Sequence, residues 1–223
     1  MSTETIISLK NIKAYHRKKM VLDGVNLQVQ KGEFLYIIGK TGSGKSSILK
    51  VLYKELDIEE GEASILDFNL NKIKSRTIPQ LRRSLGIVFQ DFQLLPDRNI
   101  EENLLFVMQS TGWKNKKLMK KQVNELLAQI GLKDCNQQYP HQLSGGEQQR
   151  VVIARAMINS PKVILADEPT GNLDPESSKE IMNILTQISK TGTAVIMATH
   201  DMEIVKEYPS RTLVCENGKI QEA

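Results

Sequence analysis

A glycine-rich loop at residues 39–46, Gly-Lys-Thr-Gly-Ser-Gly-Lys-Ser, contains the residues with the most evident chemistry in this chain. Its three glycines allow a sharp turn in which successive backbone N–H groups point inward, and such a nest of amides binds phosphate oxygens. The helix predicted to begin near Lys45 adds its positive end to the same site. Lys45 supplies a point charge for the β- and γ-phosphates, and the Ser46 hydroxyl is a ligand for Mg²⁺. Because an apolar strand at residues 34–38 precedes the loop, the pattern predicts binding of a nucleoside triphosphate rather than a plain glycine turn.

Two carboxylates follow another apolar run. Residues 163–166 read Val-Ile-Leu-Ala, and Asp167 and Glu168 come next. Such a run is typical of a strand buried in a parallel sheet, whose carboxyl edge is where ligands bind. We predict that Asp167 holds Mg²⁺ through its water shell. Glu168, expected on the opposite side of the strand's pleat, is predicted to polarise the attacking water as general base, although a polar start to a loop is the alternative.

The composition is that of a globular α/β protein: 223 residues, 40% hydrophobic, 25% charged and a net charge of +4. No apolar run approaches the ~18–20 residues that cross a bilayer, and residues 1–7 lack the pattern of a secretion signal, so we expect a cytoplasmic location. Cys135 and Cys215 have neither metal-ligand spacing nor the density of a disulfide scaffold, which predicts two free thiols.

Basic residues are concentrated in one short segment. They are Lys114, Lys116, Lys117, Lys120 and Lys121. Only Trp113 accompanies them as an aromatic, and residues 122–127 continue a helical period, so a solvated helix face is favoured over a nucleic-acid surface. We expect no nucleic-acid partner, and contact with anionic lipid is the alternative left open.

Hydrophobic periodicity predicts the elements that position these groups. The predicted strands are 6–12, 21–29, 34–38, 61–67, 87–89, 163–166 and 194–198, and the predicted helices are about 45–55 and 177–189, with helical spacing over 99–158 and Gly131 as a C-cap. The last two strands and the helix between them form a βαβ unit, which implies parallel pairing. We therefore predict a P-loop (RecA-like) core of mainly parallel sheet flanked by helices. This core spans about 1–90 and 160–223 and includes an antiparallel β part. A helical subdomain is inserted at about 91–159.

A short segment after the helical spacing, Leu143-Ser144-Gly145-Gly146-Glu147 followed by Gln-Gln-Arg, decides the family. Together with the phosphate loop, it resembles the signature of the ATP-binding-cassette ATPases, and the resemblance covers essentially the whole chain. Small residues there expose N–H groups and the Ser144 hydroxyl at a helix N-terminus as a second anion site. The resemblance implies a homodimer in which each ATP lies between one subunit's phosphate loop and the other's signature.

The family's other site residues are carried over by motif. Tyr15 matches the aromatic that stacks on adenine, Gln90 the glutamine of the Mg²⁺ shell, and His200 the switch histidine that contacts the γ-phosphate. Residues Asn172, Leu173 and Asp174 match the loop that crosses the dimer interface. The residues predicted to bind ATP are Tyr15, Gly39, Lys40, Thr41, Gly42, Ser43, Gly44, Lys45, Ser46, Ser47 and Gln90. The predicted catalytic residues are Lys45, Glu168 and His200, and the predicted Mg²⁺ ligands are Ser46, Gln90 and Asp167.

One segment, residues 88–103, discriminates among branches of the family. Its Gln-Asp-Phe, Leu-Leu, Asp-Arg and Glu-Asn resemble the cell-division ATPases of the FtsE type, which work with a membrane protein of the FtsX type. The resemblance implies that ATP-driven dimer closure moves the extracytoplasmic part of the partner and so regulates peptidoglycan hydrolases. Lipoprotein-release and macrolide-exporter ATPases share the other motifs and remain alternatives. Lys40-Thr41 and Ser47 depart from the commonest pattern without altering a glycine or Lys45.

The predicted membrane partner needs a docking surface. Four apolar residues follow Gln90 in a segment expected to be a loop, namely Phe92, Leu94, Leu95 and Pro96. We predict that they receive a cytoplasmic helix of the membrane subunit, which would hold the chain at the cytoplasmic side of the membrane. The alternative is that Phe92 and Leu95 merely pack the helical insertion against the sheet. A soluble cassette protein acting on ribosomes or DNA is disfavoured, since the chain has neither a second cassette nor a long coiled coil.

Overall fold

The computed structural model describes residues 4–223, and they form two β-sheets and a group of helices. The strands are β1 (Thr5–His16), β2 (Lys19–Gln30), β3 (Phe34–Ile38), β4 (Glu60–Ile65), β5 (Phe68–Asn69), β6 (Leu85–Val88), β7 (Val163–Asp167), β8 (Ala194–Thr199), β9 (Arg211–Glu216) and β10 (Lys219–Glu222). The helices are α1 (Lys45–Leu52), α2 (Ile78–Arg83), α3 (Ile100–Ser110), α4 (Lys116–Gln129), α5 (Gly145–Met157), α6 (Pro175–Lys190) and α7 (Met202–Glu207). In this part of the chain, no helix has the length and apolar character needed to cross a membrane.

The first sheet is antiparallel, with the strand order β2-β1-β4-β5. Alternating side chains of β1 and β2 make one face of this sheet apolar, and Leu9 pairs with Leu27 on one side and Ala63 on the other. All three side chains are buried. The predicted antiparallel β part is therefore confirmed.

The second sheet has six strands in the order β10-β9-β3-β8-β7-β6, all parallel except β10. Strands β3, β7 and β8 are apolar along nearly their whole length because helices cover both faces of a parallel sheet. Their carboxyl ends lie at one edge, where Ile38 pairs with Thr199 and Asp167 with Ala198. The predicted βαβ unit and its parallel pairing are confirmed, and the predicted site residues come to this edge.

Several elements differ from the sequence prediction, which lacks β5, α2, α7 and the β9–β10 hairpin and places the end of α1 too late. The helix after the phosphate loop ends at Leu52 rather than near Glu55, because Lys54 adopts a left-handed conformation with φ 57°. The hairpin β9–β10 is absent from the predicted elements, although its turn, Asn217-Gly218, is a strong hairpin signal. β10 is the edge strand of the sheet and is only four residues long, so it offers little apolar periodicity to predict it from.

Helices α3, α4 and α5 share a hydrophobic core of their own. Its buried residues are Ile100, Leu104, Met108, Met119, Val123, Leu126, Leu127, Ile130, Leu132, Cys135, Leu143, Val151, Ala154 and Ile158. Gly131 directly follows the C-cap of α4 with φ 75°, as predicted. The exposed face of α4 carries Lys116, Lys117, Lys120 and Lys121 of the lysine cluster. The boundaries of the helical subdomain at residues 91 and 159 stay a prediction.

Candidate nucleotide-binding and hydrolysis site

The phosphate loop connects the end of β3 to the start of α1 through three left-handed glycines. At Gly42 (φ 81°) nothing lies within 4 Å of the position that a Cβ would take, so the conformation alone requires glycine. At Gly39 a Cβ would also lie 2.2 Å from the carbonyl oxygen of Cys215, so close packing excludes any side chain. The loop therefore turns as its sequence predicts.

Lys45 extends beneath this loop. Its ammonium donates to the carbonyl oxygens of Gly39 (2.7 Å) and Lys40 (3.3 Å), and its side chain is only 6% exposed. The third neighbour is the Oε1 atom of Glu168, at 3.5 Å. A buried cation held by backbone oxygens and one carboxylate is well placed to attract phosphate oxygens to the loop.

Ser46 and Asp167 meet between α1 and β7. The Ser46 hydroxyl donates to Oδ1 of Asp167 at 3.0 Å. Burial raises the pKa of the Asp167 carboxyl, and the hydrogen bond from Ser46 opposes this shift. A hydroxyl and one carboxylate are donors that Mg²⁺ accepts when phosphates and water supply its other ligands. Among residues 4–223, no group of three or more His, Cys, Asp or Glu side chains could hold a metal ion.

Glu168 lies just beyond β7 and corrects one prediction. The sequence predicts it on the opposite side of the strand's pleat, but its backbone has left the strand conformation, with φ 48°. Its N–H donates to the carbonyl of Ala198 at 2.9 Å, which fixes this turn against β8. A left-handed glutamate is strained, and such strain persists where the surrounding structure holds it. The turn directs the carboxylate, 12% exposed, towards Lys45.

His200 completes a chain of polar groups. It follows β8, and its Nδ1 atom lies 3.0 Å from Oε2 of Glu168, while Oε1 of the same carboxylate faces Lys45. The His200 side chain is 58% exposed, so one side of this group is open to solvent. The three residues predicted to be catalytic are thus brought together from α1, β7 and β8.

Gln90 follows β6, the neighbour of β7. Its Nε2 atom is 3.5 Å from the position that a Cβ on Gly171 would take, and Gly171 in turn donates its N–H to the carbonyl of Glu168 at 3.1 Å. Gln90 therefore lies beside the Glu168 turn. Its ligand role towards Mg²⁺ stays a prediction.

Tyr15 lies next to the turn of the β1–β2 hairpin, where it pairs with Met20. Both side chains are exposed. The same hairpin passes the phosphate loop, since the carbonyl oxygen of Val21 is 3.0 Å from the position that a Cβ on Gly44 would take. This geometry leaves Tyr15 accessible to a ligand that extends from the loop along the hairpin.

The signature segment begins α5. Ser144 is the N-cap: its Oγ accepts from the N–H of Glu147, and the Glu147 carboxylate accepts from the N–H and the hydroxyl of Ser144, both at 2.8 Å. These hydrogen bonds from Ser144 hold the pKa of Glu147 below its ordinary value. Leu143 is buried among the helices, so it anchors the segment.

The neighbours of the signature belong to the start of α6. A Cβ on Gly145 would lie 3.4 Å from Leu173, and one on Gly146 would lie 2.5 Å from the Ser177 hydroxyl. The loop predicted to cross the dimer interface is therefore adjacent to the signature segment. Its Asp174 is the N-cap of α6, and the Asp174 side chain accepts a hydrogen bond from the Ser177 N–H at 3.0 Å. Asn172 is exposed. The signature and the interface loop thus form one continuous surface.

The apolar segment after Gln90 divides into two parts. Phe92 and Leu94 are half-buried and pack against the hydrophobic cores. Leu95 is also half-buried but is not among the residues packed against these cores, and Pro96 is exposed. For Phe92 and Leu94 the structure supports core packing, which is the alternative to docking stated above for Phe92 and Leu95.

Arg155 holds this segment, a role that the sequence prediction lacks. Its guanidinium donates to the carbonyls of Phe92 (3.0 Å) and Gln93 (2.6 Å). Burial lowers the pKa of Arg155. It lines a groove of about 400 Å³ between α2, β6, α3 and α5, together with Arg82, Arg83 and Phe89. The sequence signal that could have revealed this role is Arg155 itself, an arginine among the apolar residues at the end of α5.

Comparison with known proteins places these features in a family. The profile of the ABC transporter family matches residues 22–171. The cell division ATP-binding protein FtsE of Streptococcus pneumoniae serotype 2 is 47% identical over 97% of this chain and 94% of that protein. FtsE of Bacillus subtilis is 44% identical over 96% and 94%. A dimeric post-hydrolysis structure of the cassette MJ0796 with ADP and Pi has a TM-score of 0.87 at 32% identity, covering 98% of both chains. The chain therefore belongs to the ABC transporter family, as an ATP-binding and ATP-hydrolysing subunit of the cell-division type.

Proposed function

We propose that two copies of this chain close head to tail around two Mg²⁺-bound ATP molecules and thereby drive a membrane protein of the FtsX type. The chain then acts at the cytoplasmic side of the membrane, and its cycle regulates peptidoglycan hydrolases through the partner's extracytoplasmic part. The observation that carries the proposal is the joined group of Lys45, Glu168 and His200 beside the Ser46–Asp167 pair.

The roles of the residues follow from their positions. The loop amides and Lys45 bind the phosphates, and Tyr15 stacks on the adenine. Ser46, Asp167 and Gln90 would hold Mg²⁺, which would supply positive charge to offset that of the phosphates.

Glu168 acts as the general base. Its Oε2 atom is 3.0 Å from His200, so the histidine orients the carboxylate and reaches the γ-phosphate from the open side of the site. Oε1 faces Lys45, so the cation fixes the other side of the carboxylate that orients the attacking water.

A second copy is needed to bring a signature segment to the bound nucleotide, because within one copy this segment lies beside the predicted interface loop. Residues 143–147 neighbour Leu173 and Ser177, and their α5 N-terminus is free to approach the phosphates of a facing subunit. The similar cassette MJ0796 is dimeric in its ADP- and Pi-bound structure, which supports this arrangement.

The membrane partner docks at the groove lined by Arg82, Arg83 and Phe89 and at Leu95 and Pro96, which follow the groove residue Gln93 in the chain. Arg155 links the groove to the Gln90 segment by its two hydrogen bonds to the backbone. Movement of Gln90 on ATP binding is therefore transmitted to the docked helix.

Glu168→Gln and Lys45→Ala test the proposal together. We expect Glu168→Gln to keep ATP binding, abolish hydrolysis and accumulate an ATP-bound dimer, because the phosphate contacts remain while the base is lost. Lys45→Ala is expected to weaken ATP binding. Size-exclusion chromatography with Mg²⁺-ATP and a phosphate-release assay measure both effects, with Glu203→Gln on the exposed face of α7 as the control. Hydrolysis by Glu168→Gln at the wild-type rate would show that another group is the base.

A further inference from the structure

The turn between β9 and β10 lies directly against the phosphate loop. Asn217 (φ 49°) and Gly218 (φ 78°) are its two central residues, and both left-handed conformations match a type I′ hairpin turn. The turn is tight, and its position is set by β9, which pairs with the central strand β3. A rigid sheet element thus lies behind the loop.

The carbonyl oxygen of Ser43 receives two hydrogen bonds from this hairpin. The N–H of Gly218 donates at 2.8 Å and the Cys215 thiol at 3.3 Å. Burial raises the pKa of the Cys215 thiol, so it remains protonated and able to donate at neutral pH. The carbonyl of Cys215 itself packs against Gly39 at the start of the loop.

These contacts determine where one amide of the phosphate loop points. The Ser43 carbonyl and the Gly44 N–H belong to a single planar trans peptide, so they point in opposite directions. Hydrogen bonds that hold the carbonyl towards the hairpin therefore aim the N–H of Gly44, the N-cap residue of α1, away from the hairpin. In the absence of these bonds, the conformational freedom of Gly44 would allow the peptide to rotate.

The same turn also holds the hairpin that carries Tyr15. The Gly218 carbonyl accepts from the N–H of Asp23 at 2.9 Å, and Lys219 pairs with the Asp23 carboxylate at 3.2 Å. A Cβ on Gly218 would lie 2.7 Å from the carbonyl oxygen of Val21. Gly218 is therefore bonded to β2 on one side and to the phosphate loop on the other.

We propose that Gly218 and Cys215 are positioning residues for ATP: they hold the phosphate loop in its binding conformation and in register with the β1–β2 hairpin. This inference rests on the proposed role of the loop in phosphate binding. It gives the C-terminal hairpin a function in nucleotide affinity, although neither residue touches the nucleotide.

Gly218→Ala tests the proposal against a matched control, Gly131→Ala. The two glycines have nearly equal φ angles, 78° and 75°, so alanine strains both backbones alike. At Gly131 nothing lies within 4 Å of the added Cβ, whereas at Gly218 it presses on Val21. We expect Gly218→Ala to raise the dissociation constant and KM for ATP about tenfold with a smaller change in kcat, since the loop is displaced but the base is intact.

The control should leave ATP affinity within about twofold of wild type while losing similar thermal stability, because it carries the strain without the displacement. Equal ATP affinities of the two variants would overturn the proposal. If Gly218→Ala does not fold, two substitutions of Cys215 test the proposal instead. Cys215→Ala is expected to weaken ATP binding about threefold. Cys215→Ser keeps a donor to the Ser43 carbonyl and is expected to restore the affinity. Wild-type affinity in Cys215→Ala would contradict the role of the thiol.

Lys45→Ala in the same titration separates this inference from the proposed function. Loss of ATP binding in Lys45→Ala with wild-type binding in the Gly218 and Cys215 variants would reject the positioning role alone. Wild-type binding in Lys45→Ala would instead reject the phosphate site on which the inference rests.

Discussion

Lys45, Glu168 and His200 form a continuous chain of polar groups, and the conformation of Glu168 makes it possible. A strand residue at this position would alternate across the sheet, but the left-handed turn lets one carboxylate face both partners. The cost of this turn is about 1–3 kcal/mol, and the bond from Glu168 N–H to Ala198 helps to hold it. Single-residue geometry thus assembles the chemistry at the sheet edge.

Ser144 is the residue at which dimer formation can be tested separately from ATP binding. We expect Ser144→Arg to bind ATP with nearly wild-type affinity but to fail in dimerisation and hydrolysis, because a bulky cation blocks the approach of the facing nucleotide. Nucleotide titration and size-exclusion chromatography measure the two effects.

The control for this variant is Ser144→Ala. It removes the N-cap of α5, at about 1 kcal/mol of stability, without adding bulk. If Ser144→Arg lost ATP binding in the monomer as strongly as it lost turnover, the signature would act within its own subunit.

Among the secondary-structure elements, α3 organises the segment that follows Gln90, and it does so through Asn103. The buried Asn103 side chain, 3% exposed, accepts from the N–H of Leu95 and donates to the carbonyls of Leu95, Arg98 and Asn99. Because α3 has its own capping box at Asn99, the helix is a firm base for these bonds. A single helix residue thereby shapes the loop that is proposed to meet the membrane partner.

Asn103→Ala is expected to lower the free energy of unfolding by about 1–3 kcal/mol, since it leaves the N–H of the half-buried Leu95 without its acceptor. Urea unfolding followed by circular dichroism measures this change. Asn124→Ala on the exposed face of α4 is the matched control, with an expected change below about 0.5 kcal/mol. Equal changes in both variants would mean that solvent satisfies the Leu95 amide.

Across the molecule as a whole, the two sheets and the group of helices each position different parts of the candidate site. The parallel sheet brings the predicted catalytic residues to one edge, and the antiparallel sheet carries Tyr15 alongside them. The helices carry the signature and one wall of the groove. The groove thus lies between the parallel sheet and the helices.

The docking surface is tested by replacing both Leu95 and Pro96 with Ser. We expect loss of copurification with the membrane protein and unchanged ATP binding by the isolated chain, because apolar contact is removed while the phosphate site is untouched. Leu118→Ser, which changes an exposed leucine on α4, is the control. A complex of normal affinity would exclude docking at Leu95 and Pro96, and a collapse of the melting temperature would assign them to core packing.

Local patterns in the amino-acid sequence are enough to predict the family, the phosphate loop, the acids after β7 and the parallel βαβ unit, because each of these depends on short spacings and hydrophobic periodicity. The direction of Glu168, the burial of Phe92 and Leu94, and the support of the loop by Gly218 emerge only in the folded chain. These features depend on contacts between residues far apart in sequence, such as Ser43 with Gly218 and Arg155 with Phe92. Local patterns cannot specify such contacts, since they form only when the packed sheets and helices bring the partners together.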